Sequence, residues 1–226
     1  MTAGGETVLA IDTATSRVVV TRGGLDGTPV AEASWAAGYR HGETLLPAIE
    51  RLLAPVGGRA AVGAIVVGTG PGAFTGLRVG IATAKGLAHG LGCPIVGVST
   101  GAALLAAAAV AAPGPDLVLF LPAGPADRVV VRAAMAPTLL PGGSDPVLEP
   151  GERPVAVDLE ARATAEASEL GRLAHDGLGA ALLRLGAARL ARGERDDLEA
   201  LVPEYVTLPR GVRVAVGEVA WSHDPR

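Results

Sequence analysis

The hydrophobic pattern changes its period along the chain, and each change marks a new kind of element. Val8–Ile11 is a short apolar run closed by Asp12 and the polar turn Thr13-Ala14-Thr15-Ser16. Val18–Thr21 is β-branched throughout, Gly23, Gly24, Asp26 and Gly27 cluster as a turn, and Val30–Ser34 reads as a third strand. Connections this short predict an antiparallel meander. From His41 to Leu53 the apolar positions Leu45, Leu46, Ile49, Leu52 and Leu53 fall at helical spacing, with Pro47 in the first turns, where its missing N–H does least harm. Ala64–Val67 has the character of a buried strand and is followed by a glycine-rich turn and a helix from Phe74 to about His89. Ile95–Val98 is the next strand. Thr100 is placed to cap an alanine-rich helix running to about Ala112, which Pro113-Gly114-Pro115 ends.

The order β-β-β-α-β-α-β-α is the plan of one lobe of the actin/hexokinase/Hsp70 superfold. The second half gives a weaker echo. Leu117–Leu121 and Arg128–Met135 can pair as a hairpin around Pro122–Asp127, Pro154–Asp158 reads as a strand, and helices follow over Ala165–His175 and Leu178–Arg192. Pro137–Pro154 is rich in Pro and Gly and reads as a surface excursion. The expected fold class is therefore α/β, a two-lobed actin-like (ribonuclease H-like) fold. The first lobe spans residues 1–112, and a reduced second lobe over 113–226 carries the C-terminal helices and tail.

Composition sharpens this picture. Nearly half of the 226 residues are apolar but only 3% are aromatic, so the core must be built from Ala, Val and Leu. The formal net charge is −4, and the arginines are scattered among 23 acids. Unaided nucleic-acid binding rests on a basic face that neutralises phosphates, and none is evident. A single cysteine, Cys93, excludes an internal disulfide and any multi-cysteine metal site. The N-terminal residues show no basic n-region or apolar h-region, and the longest apolar stretch, around Ala102–Ala112, is too short to span a bilayer. The expectation is a cytoplasmic protein with no membrane segment.

The segment Gly68-Thr-Gly-Pro-Gly-Ala-Phe-Thr-Gly-Leu-Arg-Val-Gly80 joins a strand to a helix, the place where phosphate loops occur. It lacks the Gly-Lys-Ser/Thr of a Walker loop. Gly68-x-Gly70-x-x-Ala73 fits the loose dinucleotide pattern, but the acid needed about 20 residues on is missing, since no Asp or Glu lies between Glu50 and Asp116. A tight structural turn, or one whose amides meet an anion, is what remains. Gly76, Gly80, Ala84 and Ala88 recur every four residues as a stripe almost without side chains. Glycine inside a helix costs up to about 1 kcal/mol relative to alanine, so the stripe implies close approach, either within its own lobe or against a partner. Asp12, Thr13 and Thr15 end the first strand, where actin-like kinases place a magnesium-organising acid and phosphate-holding hydroxyls; they are candidates for a vestigial phosphate loop. No second acidic loop accompanies them. His41, His89, His175 and His223 form no ligand pair at helical spacing, and no Gly-x-Ser-x-Gly elbow appears. No nucleophile, base and orienter can be assembled, so neither catalytic nor metal-binding residues are assigned.

Four segments together carry a resemblance. Val8-Leu-Ala-Ile-Asp-Thr-Ala-Thr15, His41-Gly-Glu-Thr-Leu-Leu-Pro47, Gly68–Gly80 with its continuation to Ala88, and Pro94-Ile-Val-Gly-Val-Ser-Thr100 resemble the TsaB (YeaZ) family in order and spacing. Val202-Pro-Glu-Tyr205 is similar to that family's terminal Pro-x-Tyr segment. The resemblance implies an accessory subunit with no catalytic site or cofactor of its own. Such a subunit pairs with a TsaD-like protein that transfers a threonylcarbamoyl group to the tRNA adenosine beside the anticodon, together with a TsaE-like ATPase, and meets tRNA only through the complex. It further implies that the first two helices form the pairing surface, also usable for a homodimer. The residues involved would be Leu45, Leu46, Ile49 and Leu53 on the first helix and Phe74, Leu77, Arg78, Gly80, Ile81 and Ala84 on the second. The chain departs from the family at Pro122 and Gly124, where an Asp and an Arg are usual. The alternative is a divergent actin-fold kinase or a glycoprotease-like metalloenzyme.

Overall fold

The computed structural model describes residues 5–36, 41–114, 116–142, 144, 146–159 and 162–206, with the side chains of 41 and 42 left aside. Strands β1 (Thr7–Asp12), β2 (Arg17–Gly24) and β3 (Pro29–Ala36) form the expected meander. Helix α1 (His41–Leu53), strand β4 (Val62–Gly68), helix α2 (Phe74–Leu91), strand β5 (Ile95–Val98) and helix α3 (Thr100–Ala111) follow. The first sheet has the order β3-β2-β1-β4-β5, antiparallel across β1–β3 and parallel for β4 and β5. This is the strand order of an actin-like lobe.

Strand alternation sends side chains to two faces. Leu9, Ile11, Ile65, Val67 and Ile95 meet α1 and α2 on one side, while Val8, Ala10, Val66, Val96 and Val98 point to the other face. Few aromatics are needed because these buried aliphatic side chains pack tightly in their place.

The second lobe repeats the plan with parts removed. Strands β6 (Asp116–Pro122), β7 (Arg128–Arg132), β8 (Thr138–Leu140) and β9 (Glu152–Ala156) form a sheet of order β8-β7-β6-β9, with β9 parallel to β6. Among the described residues no helix stands between β8 and β9, where the first lobe has α1. The stretch read as a surface excursion thus starts with a three-residue strand, too short to show a period in sequence. Helix α4 (Ala165–Asp176) lies along β9, with Gly171 tight against the Ala156 carbonyl.

Helix α5 (Leu178–Ala191) was expected to belong to the second lobe, but it returns to the first. Gly179 lies against Thr21 and Glu32, and Gly186 lies on Val66, each too close to admit a Cβ. The helix can therefore sink onto the open face of the first sheet. One cluster, including Val66, Leu104, Leu119, Val155 and Leu182, joins both sheets through α3 and α5. The following segment closes the free edge of β5: the Asp196 amide donates to the Ile95 carbonyl (2.9 Å), and the Gly97 amide donates to the Asp196 carboxylate (2.6 Å). An exposed edge strand is a template for unwanted pairing, and this contact blunts it. Arg189 forks onto Asp196 and also donates to Gly97 O, holding the segment in place. Burial raises the Asp196 pKa, but the guanidinium and the Gly97 amide outweigh it and leave the carboxyl below its usual range. No helix among the described residues is long and apolar enough to cross a membrane.

Candidate functional site

Asp12 ends β1 and is fully buried. Its Oδ1 accepts the Ala14 amide (2.9 Å), and its Oδ2 accepts the Thr100 hydroxyl (2.7 Å), which itself accepts the Gly70 amide (3.1 Å). Thr100 is therefore not the helix cap. Ser99 caps α3 instead, accepting the Ala102 amide, which frees the Thr100 hydroxyl to tie β1 to the glycine-rich turn. Desolvation raises the Asp12 pKa from 3.8 to about 6, against the two hydrogen bonds, which lower it.

The glycine-rich turn wraps around the Asp12–Ala14 turn. Gly68 lies against the Asp12 carboxylate, Gly72 on the Ala14 carbonyl, Gly76 on the Thr13 carbonyl and Gly80 on the Thr13 hydroxyl, each closer than any Cβ allows. Thr13 donates to Gly76 O (2.7 Å) and the Ala73 amide donates to Ala14 O (2.7 Å). The motif's glycines thus serve backbone-to-backbone packing. Thr15 donates to Arg17 O (3.2 Å). The three residues read as a vestigial phosphate loop are all buried, and the carboxylate's two oxygens are both engaged inside the fold.

Between the lobes lies a cleft of about 420 Å³ lined by residues including Ser16, Gly72, Pro122, Gly124 and Asp158. Pro122 and Gly124, the positions that depart from the family pattern, stand on its wall. Asp158 has a left-handed backbone (φ 57°) and bridges the lobes, accepting the Ser16 amide (2.7 Å) and the Ser16 hydroxyl. Asp158 is the one ionisable residue of the lining among the described residues, and Ser16 already holds it. Among the described residues no group of three His, Cys, Asp or Glu side chains is arranged to hold a metal ion; His223 lies outside them.

The two helices expected to pair with a partner divide sharply. Leu45, Ile49, Leu53, Leu77, Gly80, Ile81 and Ala84 are buried in their own lobe. The small-residue stripe Gly76, Gly80, Ala84, Ala88 thus faces inward, against Thr13 and the core, and these residues support the helices rather than presenting a surface. Leu46 is 47% exposed, Arg78 is exposed and Phe74 is half-buried. A second run of small residues faces outward: Ala82, Gly86 and Gly90 are exposed, and a Cβ at either glycine would meet nothing within 4 Å. At the start of α2, Arg78 lies over the Phe74 ring (4.0 Å) and donates to the Tyr205 hydroxyl (3.3 Å), while Tyr205 packs beside Phe74 (ring centroids 5.2 Å apart). Tyr205 is 40% exposed and arrives on this helix because the Glu204 amide binds Thr69 O (2.7 Å). Sequence spacing gave no sign that residue 205 sits beside residue 74.

A family model described as TsaD: tRNA N6-adenosine threonylcarbamoyltransferase matches residues 35–144. The tRNA threonylcarbamoyladenosine biosynthesis protein TsaB of Escherichia coli is 40% identical over 94 residues, 41% of this chain and 40% of its own length. The protein of the same name from Haemophilus influenzae is 40% identical over 106 residues, 45% of this chain and 43% of its own. The structure of YeaZ from Pseudomonas aeruginosa superposes with a TM-score of 0.68 at 27% identity, over 88% of this chain and 99% of that one. In sequence and in fold the chain is similar to the TsaB/YeaZ proteins. Its matches span less than half the length of these two curated relatives, whereas the YeaZ superposition runs through both lobes. The actin-like fold read from strand order is thus shared with YeaZ, including a second lobe that sequence patterning resolved only weakly.

Proposed function

We propose that this chain is a non-catalytic subunit serving threonylcarbamoyladenosine formation in tRNA. It would bind and activate a TsaD-like transferase through the outward faces of α1 and α2. The observation that carries this reading is the division of α2: one row of small residues locks the helix to its own lobe, and a second row, Ala82, Gly86 and Gly90, lies open to solvent. Glycine in an exposed helix interior weakens the helix by up to about 1 kcal/mol, which nothing among the described residues explains; close approach of a partner helix does. Phe74, Arg78 and Tyr205 add an aromatic and arginine cluster of the kind that dominates binding energy at interfaces. The names of the relatives and of the family model support threonylcarbamoyl transfer to tRNA as the process served. A TsaE-like ATPase belongs to the same proposed assembly, tRNA is met only through it, a homodimer would use the same face, and the cytoplasm is its proposed location.

Co-purification with the TsaD-like protein of the same organism tests this. Gly86→Leu and Arg78→Glu are expected to weaken association about tenfold or more while leaving unfolding midpoints unchanged or, for Gly86→Leu, slightly raised. Undiminished association of both variants would remove α2 from the interface. Turnover of a nucleotide or carbamoyl substrate by the purified chain alone would favour the enzyme reading instead.

A further inference from the structure

We propose that the outer face of the second sheet binds a small amphiphilic anion, an apolar body of roughly ten to twenty heavy atoms bearing a carboxylate or a similar acidic group. The inference is independent of the partner-subunit reading. It starts from what the second lobe lacks. In the first lobe α1 and α2 cover the outer face of the sheet; in the second, the described residues of the connection from β8 to β9 contain no helix, and α4 reaches the outer face with Ala167 of its first turn. Phe120, Pro154 and Ala156, backed by the buried Val118 and Val130, therefore form an apolar floor beneath loop residues such as Pro146 and Leu148.

Above this floor is a cavity of about 480 Å³, within the range of small-molecule sites. Its other side is Leu159, Ala163 and Ala167. Two arginines line its wall, Arg128 from the start of β7 and Arg162 from the turn before α4. Strand alternation puts Arg128 on the same face as Val130, opposite Pro122 and Leu140. Both arginines are half-buried. Neither has a carboxylate partner among the described residues, and the only hydrogen bond of either is Arg162 to the Pro125 carbonyl (3.0 Å). Their neighbours differ: Arg132 on the same strand is forked by Glu152, and Arg153 is paired with Glu166. Half-burying a guanidinium without a counter-ion costs free energy that a bound anion offsets. Arginine is also the side chain whose planar donors match a carboxylate or phosphate in pairs. A concave apolar floor and two wall arginines with no carboxylate partner among the described residues together select an acidic head on an apolar body. A neutral apolar ligand would leave the guanidinium groups unmatched, and a bare anion would leave the floor wet.

The experiment titrates the full chain with 8-anilinonaphthalene-1-sulfonate, an apolar anion whose fluorescence rises on burial, and then competes it with decanoate or decanol. Saturable binding of one equivalent is expected, displaced by decanoate and poorly by decanol. Arg128→Gln and Arg162→Gln are each expected to weaken binding about tenfold, and Ala163→Trp to abolish it by filling the cavity, with circular dichroism confirming that each variant stays folded. The proposal is overturned if binding is not saturable, if the three variants bind like the parent, or if decanol competes as well as decanoate.

Discussion

Gly76→Ala is expected to destabilise the protein by about 3 kcal/mol or more, a large part of a typical folding free energy. The added methyl group would overlap the Thr13 carbonyl, a backbone atom fixed by the β1 turn, so neither side can yield without breaking the Thr13–Gly76 hydrogen bond. Gly80→Leu meets the Thr13 hydroxyl and is expected to act in the same direction. Chemical denaturation read by circular dichroism would report this loss, and a Gly76→Ala midpoint equal to the parent's would refute the packing described for α2. The comparison with Gly86→Leu, about three helix turns further on and outward, separates two effects. One change damages the fold, and the other is expected to damage only association.

The second large effect concerns Asp12 and pH. Its folded pKa of about 6 lies above its ordinary value of 3.8, so between these values the folded state holds more of the proton than the unfolded state does. By linkage, the contribution of this group to stability is greatest below the unfolded value and is lost as pH rises through the folded one. Asp12→Asn cannot titrate. The stability of this variant relative to the parent is therefore expected to improve by about 2 kcal/mol between roughly pH 4.5 and pH 7.5. Urea unfolding of both proteins at the two pH values measures it. A difference independent of pH would mean that the carboxylate is better solvated than its complete enclosure implies.

Much of the first lobe was legible in sequence because its signals follow one another cleanly: three short strand-like runs separated by turn residues, then Leu45–Leu53 at helical spacing, then an apolar strand that ends in a glycine-rich turn. The second lobe was less so, since β8 has only three residues and no period can be read from three. The glycine stripe of α2 announced close packing correctly, but spacing alone does not say what packs against it. The answer depended on the Asp12–Ala14 turn, more than 60 residues away in sequence. Thr100 shows the same limit. Ser and Thr side by side before a helix are both competent caps, and the buried Asp12 carboxylate, not local propensity, decides which hydroxyl does what. The pairing of Tyr205 with Phe74 is a tertiary contact across most of the chain, beyond any local rule.

The return of α5 to the first sheet also sets a constraint on synthesis. One face of that sheet stays uncovered until the helix has left the ribosome, roughly 80 residues after α3 is complete. At about 5–20 residues per second this is a wait of about 4–16 s, during which Val8, Val66 and their neighbours lack the α5 part of their cover. The nascent first lobe is thus a natural client for a chaperone that binds apolar surface, and a chain arrested before Leu178 should aggregate even though its own five strands are all present.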